Sequence, residues 1–365
     1  MRHYTAAGVV IIALVCTPLW ADWPSFRSTP RMTGRAASPL SVRPQLLWTY
    51  ETGSSVESTA AIANGTAYVG TMSNALVAID VATGTKKWKY MATDSITASP
   101  CVIGNTVMVG DEAGMFHAVN AADGSRRWTF ETDGKIISSG TPAPGNSVLF
   151  GSYDNSLYRL DVTTGRLIWK FESGAQVHCS PCVAQGRVII AGCDGFVRIV
   201  NLQTGRQTAA ADIGPNFAAA PTYAAGNVYV AGMGGEYAAV RISDGKIIWQ
   251  TNVRKNGGAS WGSGAIDSDG VIFVSRNNMA FKLDLKTGGT KWVYTAGGPI
   301  DSSPTLAGDL VFFGCDDGDI YGLSAATGKQ VWSFTAGAPI TASPAVSDGK
   351  MIIGTTDGAI YCFGR

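Results

Sequence analysis

The sequence has few charged residues, few histidines and no excess of either charge. Asp, Glu, Lys and Arg make up only 15% of its 365 residues, and 28 basic residues balance 27 acidic ones. A chain without a basic excess lacks the electrostatic attraction for phosphate on which nucleic-acid binding depends. Three His residues are too few for a His-rich metal site. We therefore expect no nucleic-acid partner and no bound metal.

Long apolar runs are also missing, because no apolar run of 18 residues occurs after residue 21, and we expect no membrane-spanning helix. The shorter apolar stretch 6–15 follows a basic start and precedes Ala21. This order is typical of a secretory signal peptide over residues 1–21. The alternative is a lipid anchor at Cys16, although Val15 stands where a lipoprotein signal has a small residue. We predict a secreted or periplasmic protein, with a lipid anchor at the outer membrane as the alternative.

A 40-residue repeat accounts for most of the remaining chain. Tryptophans mark it in steps of 40, 40, 41, 80, 43 and 40 residues, and Ala209 stands where one copy lacks its Trp. The marking residues are Trp48, Trp88, Trp128, Trp169, Trp249, Trp292 and Trp332. A Ser-Pro signature runs in phase with them, and residues 46–365 make up eight copies of 40. Periods of this length are typical of β-propellers and solenoids.

Each copy has the pattern of four short strands separated by turn residues. In residues 96–130 the segments are ITASPCVI, TVMVG, MFHAVN and SRRWTF. Four antiparallel strands repeated in this way predict an all-β protein, an eight-bladed β-propeller. The first copy opens with the fourth-strand segment LLWTY and the last ends after its third strand, so the N-terminal strand should complete the last blade. Residues 22–45 are Pro-rich and read as an extended lead-in over the ring.

The approach to the fourth strand resembles a known repeat. The segments AIDVATGTKKW (78–88), RLDVTTGRLIW (159–169) and KLDLKTGGTKW (282–292) are similar to the pyrroloquinoline-quinone-type (PQQ-type) propeller repeat with its tryptophan-docking motif. The resemblance extends over residues 46–365 and implies that the seven tryptophans dock each blade against the next. The family contains quinoprotein dehydrogenases and non-catalytic propellers such as BamB, a scaffold of outer-membrane protein assembly.

In the dehydrogenases of this family, PQQ lies in the central channel over a Trp floor. Beside it is a calcium ion held by Glu, Asn and Asp, with an Asp as the base and, in alcohol-oxidising members, a pair of adjacent cysteines. This chain has no Cys-Cys pair and no insertions between blades that would build such a pocket. We therefore expect no cofactor and no catalytic residues. A PQQ- and calcium-dependent dehydrogenase is kept as the alternative from the enzyme class.

One position of the innermost strand varies most between copies, and period-two alternation places its eight residues on the channel face. They are Glu57, Thr97, Ser138, His178, Ala218, Trp261, Asp301 and Thr341. The residues two positions later are mostly small and hydroxylated, as expected for a crowded, partly wet channel. Glu57, His178, Trp261 and Asp301 depart from this pattern and are our candidates for contact with a small polar ligand or a cation. The alternative is a solvated channel lining without a ligand.

The cysteines do not form the pattern of a disulfide framework. After residue 21 the chain has Cys101, Cys179, Cys182, Cys193, Cys315 and Cys362. Several fill the same repeat position in different blades, and the turn at Gln185-Gly186 places Cys179 and Cys193 on opposite faces of a strand pair. We expect small buried apolar side chains rather than disulfides.

These observations predict a secreted or periplasmic, monomeric propeller that binds an unidentified protein through the loops at its blade rims. A BamB-like scaffold of outer-membrane assembly is the first alternative, and a quinoprotein is the second. Fold by itself does not determine function, so the partner stays open at the level of sequence.

Overall fold

The computed structural model describes residues 22–214, 216–252 and 258–365. The predicted signal peptide and the alternative anchor Cys16 lie outside the described residues. Within the described part of the chain, thirty-two strands form eight antiparallel sheets of four strands each. None of the residues in these ranges forms a helix long and apolar enough to cross a bilayer. The eight-bladed, all-β propeller predicted from the repeat is confirmed.

The strands are numbered β1 to β32 in chain order, and each blade has an inner, a second, a third and an outer strand. The inner strands are β2 (Ala61–Ala63), β6 (Cys101–Ile103), β10 (Thr141–Ala143), β14 (Cys182–Ala184), β18 (Thr222–Ala224), β22 (Ala265–Ile266), β26 (Thr305–Ala307) and β30 (Ala345–Ser347). The second strands are β3 (Thr66–Gly70), β7 (Thr106–Gly110), β11 (Ser147–Ser152), β15 (Arg187–Ala191), β19 (Asn227–Ala231), β23 (Gly270–Ser275), β27 (Leu310–Gly314) and β31 (Lys350–Gly354).

The third strands are β4 (Ala75–Asp80), β8 (Met115–Asn120), β12 (Ser156–Asp161), β16 (Phe196–Asn201), β20 (Glu236–Arg241), β24 (Met279–Asp284), β28 (Asp319–Ser324) and β32 (Ala359–Gly364). The outer strands are β5 (Lys86–Met91), β9 (Arg126–Glu131), β13 (Leu167–Glu172), β17 (Gln207–Asp212), β21 (Ile247–Asn252), β25 (Thr290–Thr295), β29 (Gln330–Thr335) and β1 (Gln45–Glu51). Blade 1 consists of β2–β5, and the later blades follow in chain order to blade 8, which consists of β30–β32 and β1.

The ring is closed by the N-terminal strand, as its sequence pattern predicted. Strand β1 pairs antiparallel with β32, with Trp48 opposite Cys362 and Tyr50 opposite Ile360. Blade 8 therefore combines the two ends of the propeller. This pairing covers the edge that β32 would otherwise expose.

Burial falls from the inside of each blade to its outside. Strand β3 (TAYVG) is buried along its whole length, whereas the outer strand β13 (LIWKFE) alternates between exposed and half-buried residues. The middle strands lie between neighbouring blades on both faces, so their sequences are almost continuously apolar. The hydrophobic core is accordingly distributed over the interfaces between blades.

The tryptophans of the repeat lie between blades and reach the turn of the next blade. The indole Nε1 of Trp169, for example, donates to the carbonyl oxygen of Leu202 at 2.9 Å. Equivalent bonds of 2.9–3.0 Å join Trp48 to Val81, Trp88 to Ala121, Trp128 to Val162, Trp249 to Leu285 and Trp292 to Ala325. Trp332 faces blade 8, whose third strand ends with the chain, and its ring packs edge-on against Phe363 at 5.5 Å.

The repeated glycine lies directly under the tryptophan of the preceding blade. A Cβ on Gly205, which has a φ of +67°, would lie 2.8 Å from the Trp169 ring. The copy without a Trp is different, because a Cβ on Gly245 would meet the carbonyl oxygen of Ala210 at 2.9 Å and the Cβ of Ala209 at 3.3 Å. Blades 4 and 5 thus approach each other through backbone where the indole is missing.

Residues 22–44 circle one end of the channel and bind the inner strands. The carbonyl of Pro24 accepts from Val102 in blade 2, and that of Pro30 accepts from Val183 in blade 4, both at 2.7 Å. Further bonds reach blades 1, 5, 6, 7 and 8 through Trp23, Arg31, Thr33, Gly34 and Ser38. The lead-in therefore forms hydrogen bonds with seven of the eight blades.

The six cysteines of the described residues are all free. Five are buried, and Cys193 is partly exposed. Burial raises the pKa of the Cys101 and Cys179 thiols to about 12, so neither is a reactive thiolate at neutral pH. The expectation of free, buried cysteines is confirmed for five of these residues, whereas Cys193 is free but only partly buried.

Candidate functional site

A ring of small hydroxylated residues joins the blades at the channel. The backbone N–H of Ser99 donates to Ser139 Oγ at 3.0 Å, and that of Ser139 donates to Ser180 Oγ at 3.0 Å. The same bond joins Thr59 to Ser99, Ala220 to Ser263, Ser263 to Ser303, Ser303 to Ser343 and Ser343 to Thr59. The ring is interrupted between Ser180 and Ala220 because Ala offers no hydroxyl. Each hydroxyl thus fixes the spacing of two neighbouring blades.

A second ring lies two residues earlier in the chain and lines the same cavity. Its residues stand in the segments that lead into the inner strands, four positions before each strand begins, and not within the strands as the sequence pattern predicted. It contains Glu57, Thr97, Ile137, His178, Ala218, Trp261, Asp301 and Thr341. The four candidates predicted from sequence therefore meet in one space. In this ring, these four residues carry an aromatic, imidazole or carboxylate group. They could therefore be recognised in the sequence as departures from the small, hydroxylated pattern.

The prediction for blade 3 was wrong by one residue, since Ile137 occupies the ring position assigned to Ser138. Ser138 is buried, with its hydroxyl donating to the Cys179 carbonyl at 3.0 Å and accepting from the Gly151 N–H at 3.0 Å. The cause is a longer turn in this blade. Strands β10 and β11 pair Ala143 with Ser147 across three residues, whereas the equivalent hairpin of blade 2 pairs residues across two. In the chain, the extra residue of blade 3 therefore comes after the ring position and not before it.

The lead-in supplies the floor of the cavity. Phe26 lines it from the end at which residues 22–44 cross the channel. The opposite end is open, and the space has a volume of about 510 Å³. This volume lies within the range of small-molecule sites, which is roughly 300–1,000 Å³. The channel is therefore a blind cavity with one mouth.

An aromatic wall lines blades 3 to 6 near the mouth. The hydroxyl of Tyr153 and Nδ1 of His178 lie 2.7 Å apart, and the imidazole packs edge-to-face on Trp261 at 5.9 Å. Burial and the nearby Lys135 lower the pKa of His178 to about 4, and burial raises the pKa of Tyr153 to about 12. Both groups are therefore neutral at pH 7. Trp261 is 40% exposed and offers a face for stacking.

The carboxylates lie along the rest of the mouth with two cations. Glu112 Oε2 lies 3.8 Å from Lys135 Nζ, and Asp301 Oδ2 lies 3.4 Å from Arg276 Nη1. Burial raises the pKa of Glu57, and the neighbouring Glu112 raises it further. Burial also raises the pKa of Asp301, against the effect of Arg276. These acids are held in an environment that disfavours their charged forms.

Sequence reasoning missed Glu112, Tyr153 and Arg276, which share one repeat position. Each follows the second strand of its blade, and its backbone N–H donates to the loop that precedes a ring residue, as from Glu112 to Ser95 at 3.0 Å. These loops bring the turn after the second strand to the mouth. The available signal was the same as for the ring, because this position also varies between copies in charge and size.

Two other groups resemble catalytic patterns but are structural. His117 lies 2.8 Å from Asp111 and 3.0 Å from the Tyr90 hydroxyl, but it is only 2% exposed. Asp111 also accepts backbone N–H groups of its turn, and although burial opposes it, these bonds and His117 hold its pKa below the usual range. Ser260 lies in a Gly-x-Ser-x-Gly pattern, but it is buried and donates to the Gly262 carbonyl at 3.1 Å.

The cavity does not fit calcium-bound PQQ. Calcium requires six to eight oxygen ligands, several of them carboxylates. Asp301 and Glu112 each face a cation, and Glu57 lies two blades away from Asp301 in the ring. Within the described ranges no three His, Cys, Asp or Glu residues converge on a point that could hold a metal ion. Phe26 forms the floor of the cavity, whereas the resemblance to quinoprotein dehydrogenases implied a Trp beneath PQQ.

Eight stacked four-stranded blades and an N-terminal strand that closes the ring define the class of eight-bladed β-propellers. The PQQ-repeat family model described as "Outer membrane protein assembly factor BamB" matches residues 41–137, 117–265, 193–296 and 256–363. These matches together span residues 41–363, and the chain belongs to this family. No curated protein sequence matches the chain significantly.

Solved structures with the same fold include BamB, an alcohol dehydrogenase and a designed protein. BamB from Moraxella catarrhalis superposes with a TM-score of 0.78 at 17% identity, covering 88% of this chain and 100% of that chain. Quinohemoprotein alcohol dehydrogenase from Comamonas testosteroni superposes with a TM-score of 0.81 at 16% identity, covering 94% and 80%. The computationally designed Ika8 protein gives 0.77 at 15% identity, covering 88% and 100%. At these identities the likeness shows the fold alone.

Proposed function

We propose that this protein is a non-catalytic propeller of the cell envelope that binds a protein partner at its outer rim. Membership of a family described as an assembly factor supports a protein-binding role. The observation that carries the proposal is a difference between the outer strands of neighbouring blades. It concerns the residue immediately before the repeated Trp, which occupies the same exposed position in every blade.

In blades 1 and 2 this residue is cationic, Lys87 and Arg127, and both are exposed. In blades 3, 5, 7 and 8 it is apolar: Ile168 and Ile248 are 44% and 40% exposed, and Val331 and Leu47 are 36% and 39% exposed. Leu167, beside Ile168, is 47% exposed. We call Leu167, Ile168 and Ile248 the apolar rim. Charged side chains normally protect an outer strand from pairing with other chains, and an exposed apolar edge marks an interaction site.

The test places a photo-crosslinking amino acid at position 168 or 248, with position 87 or 127 as the matched control. We expect a discrete crosslinked protein from the apolar rim only. Ile168→Lys should weaken retention of that same protein by about tenfold, as expected for loss of one anchor residue. Equal crosslinking from all four positions, or none from 168 and 248, would contradict the proposal.

A finer hypothesis is a BamB-like role in the assembly of outer-membrane proteins. The family description and the shared fold support it. Cells that lack this protein should then contain less assembled outer-membrane protein. Wild-type protein should restore the level, and an Ile168→Lys/Ile248→Lys variant should not. Unchanged outer-membrane protein levels would remove this hypothesis while leaving the crosslinking result intact.

The enzyme alternative has a direct assay. The protein is incubated with PQQ and calcium, and dye reduction is measured with alcohols and sugars. Because the carboxylates of the cavity do not converge, we expect no dye reduction above that of the cofactor without protein. Saturable, protein-dependent dye reduction would show a quinoprotein and overturn the non-catalytic proposal.

A further inference from the structure

The blind cavity is divided into two unlike halves. In the second ring, which holds the four candidates, blades 7, 8, 1 and 2 contribute only polar residues: Asp301, Thr341, Glu57 and Thr97. The other four blades contribute Ile137, His178, Ala218 and Trp261 to the same ring. Because His178 is neutral at pH 7, these four ring residues are uncharged and largely apolar. Lys135 and Arg276 flank them in the lining, and the Arg276 guanidinium lies 5.9 Å from the centre of the Trp261 ring on one side. A ligand that fills the cavity therefore needs one polar end and one apolar body.

The charges of the lining do not cancel. Among the described residues, three carboxylates line the cavity, Glu57, Glu112 and Asp301, against the two cations Lys135 and Arg276. Glu112 faces Lys135 and Asp301 faces Arg276. Glu57 has no cation within ion-pair distance in the described part of the chain. The part of the lining that the structure describes thus has one uncompensated negative charge, at Glu57 in the polar half.

We propose that the cavity binds an organic ammonium ion, with its nitrogen at Glu57 and its apolar body against His178 and Trp261. A carboxylate in a partly enclosed space attracts a cation more strongly than one in open water. The aromatic half accommodates an apolar or planar body by burial and stacking. Both interactions require this cavity and neither requires the outer rim.

The neighbours of Glu57 also suit an ammonium group. Thr97 and Thr341 stand on the blades on either side of it, and their Oγ1 atoms are buried without a hydrogen-bond partner. These Oγ1 atoms have no exposed surface as they stand, so each Thr side chain has to turn to another staggered χ1 well to present its hydroxyl to a ligand at Glu57. A primary ammonium group has three N–H donors, and a carboxylate with two flanking hydroxyls offers three acceptors.

Other ligand classes fit less well. An anion would meet the uncompensated charge of Glu57. A neutral polyol could stack on Trp261 and bond to carboxylates, but it would leave that charge uncompensated. Whether the ligand is a cation or a polyol is therefore decided by the dependence of binding on the charge at position 57.

The experiment compares 2-phenylethylamine with its neutral analogue 2-phenylethanol by isothermal titration calorimetry on the full chain. We expect saturable binding of the amine, and binding of the alcohol weaker by about tenfold or more, since a charge-assisted hydrogen bond is lost. Glu57→Gln should weaken the amine by a similar factor and leave the alcohol unchanged. Glu131→Gln, which removes an exposed carboxylate from outer strand β9, is the control and should bind the amine like wild type.

Trp261→Ala should weaken both probes, because it removes the stacking face that they share. Circular dichroism and unchanged melting temperatures of the variants show that the fold is retained. Equal binding of amine and alcohol, or no loss with Glu57→Gln, would overturn the proposal. Binding of glucose or inositol in preference to the amine would replace it with a polyol site. Failure of 2-phenylethylamine to bind at millimolar concentration would also reject it.

Discussion

The guanidinium of Arg27 packs directly against the backbone of Gly34. A Cβ at Gly34 would lie 1.7 Å from Arg27 Nη2, and this nitrogen donates to the carbonyl oxygens of Gly264 at 2.7 Å and Pro304 at 2.5 Å. Arg27 is fully buried, and burial lowers its pKa to about 9. The Arg27 side chain thus packs against another part of the lead-in at Gly34 and bonds the lead-in to blades 6 and 7.

Gly34→Ala should therefore destabilise the protein by at least about 2 kcal/mol, from steric conflict with Arg27 and from a positive φ. Gly104→Ala is the matched control, because both glycines have a φ of +58° and a Cβ at Gly104 would meet nothing within 4 Å. The free energy of unfolding is measured by urea denaturation. Equal losses for the two variants would show that the contact with Arg27 is unimportant.

Trp169→Ala should lower the free energy of unfolding by roughly 3–5 kcal/mol, the range for removing a large aromatic side chain from a packed site. Its indole bonds to the Leu202 carbonyl and covers Gly205 in blade 4. Trp169→Phe keeps an aromatic ring but removes the hydrogen bond, so it should be intermediate. An unchanged melting temperature in Trp169→Ala would contradict the docking role.

Removal of the N-terminal strand should open the ring. A chain beginning at residue 52 lacks β1 and leaves the edge of β32 uncovered, so it should self-associate. A chain beginning at residue 45 keeps β1 and serves as the control that lacks only the lead-in. We expect a chain beginning at residue 22 to be monomeric by light scattering. A monomeric and equally stable chain from residue 52 would disprove closure by β1.

Stability should decrease as the pH falls from about 6.5 to about 4, in part because of His178. Its folded-state pKa is near 4, below the ordinary value of 6.5. In this window the unfolded chain takes up a proton at His178 and the folded protein does not, so unfolding is favoured at the lower pH. His178→Gln should make the free energy of unfolding less dependent on pH in this window. The decrease in slope should correspond to up to about one proton taken up on unfolding. Identical slopes for variant and wild type would refute the buried neutral state.

Much of the architecture was predictable because it is encoded within single repeats. The 40-residue spacing of Trp48, Trp88 and Trp128 determined the blades, and the phase of LLWTY determined which strand closes the ring. Each blade is a chain of hairpins whose pairings are local in sequence. The variable residues of one repeat position identified the four candidates in the channel for the same reason.

The repeat could not predict what has no counterpart in other copies. The extra residue of blade 3 could lie before or after the channel position, and only the three-residue turn between Ala143 and Ser147 assigned Ile137 to the ring. The Gly-x-Ser-x-Gly pattern around Ser260 likewise acquires its structural meaning only from burial.

The sequence alone determined an eight-bladed propeller with a mixed channel lining, because strand pairing and blade stacking act between chain neighbours. Only the tertiary structure decided that the channel is blind and that Ile137, rather than Ser138, belongs to its lining. The blind end depends on residues distant in sequence, such as Phe26 beneath Glu57 and Trp261, and on the path of a lead-in that carries no repeat. These residues come into contact only when the ring closes, and a pattern within one repeat cannot predict such contacts.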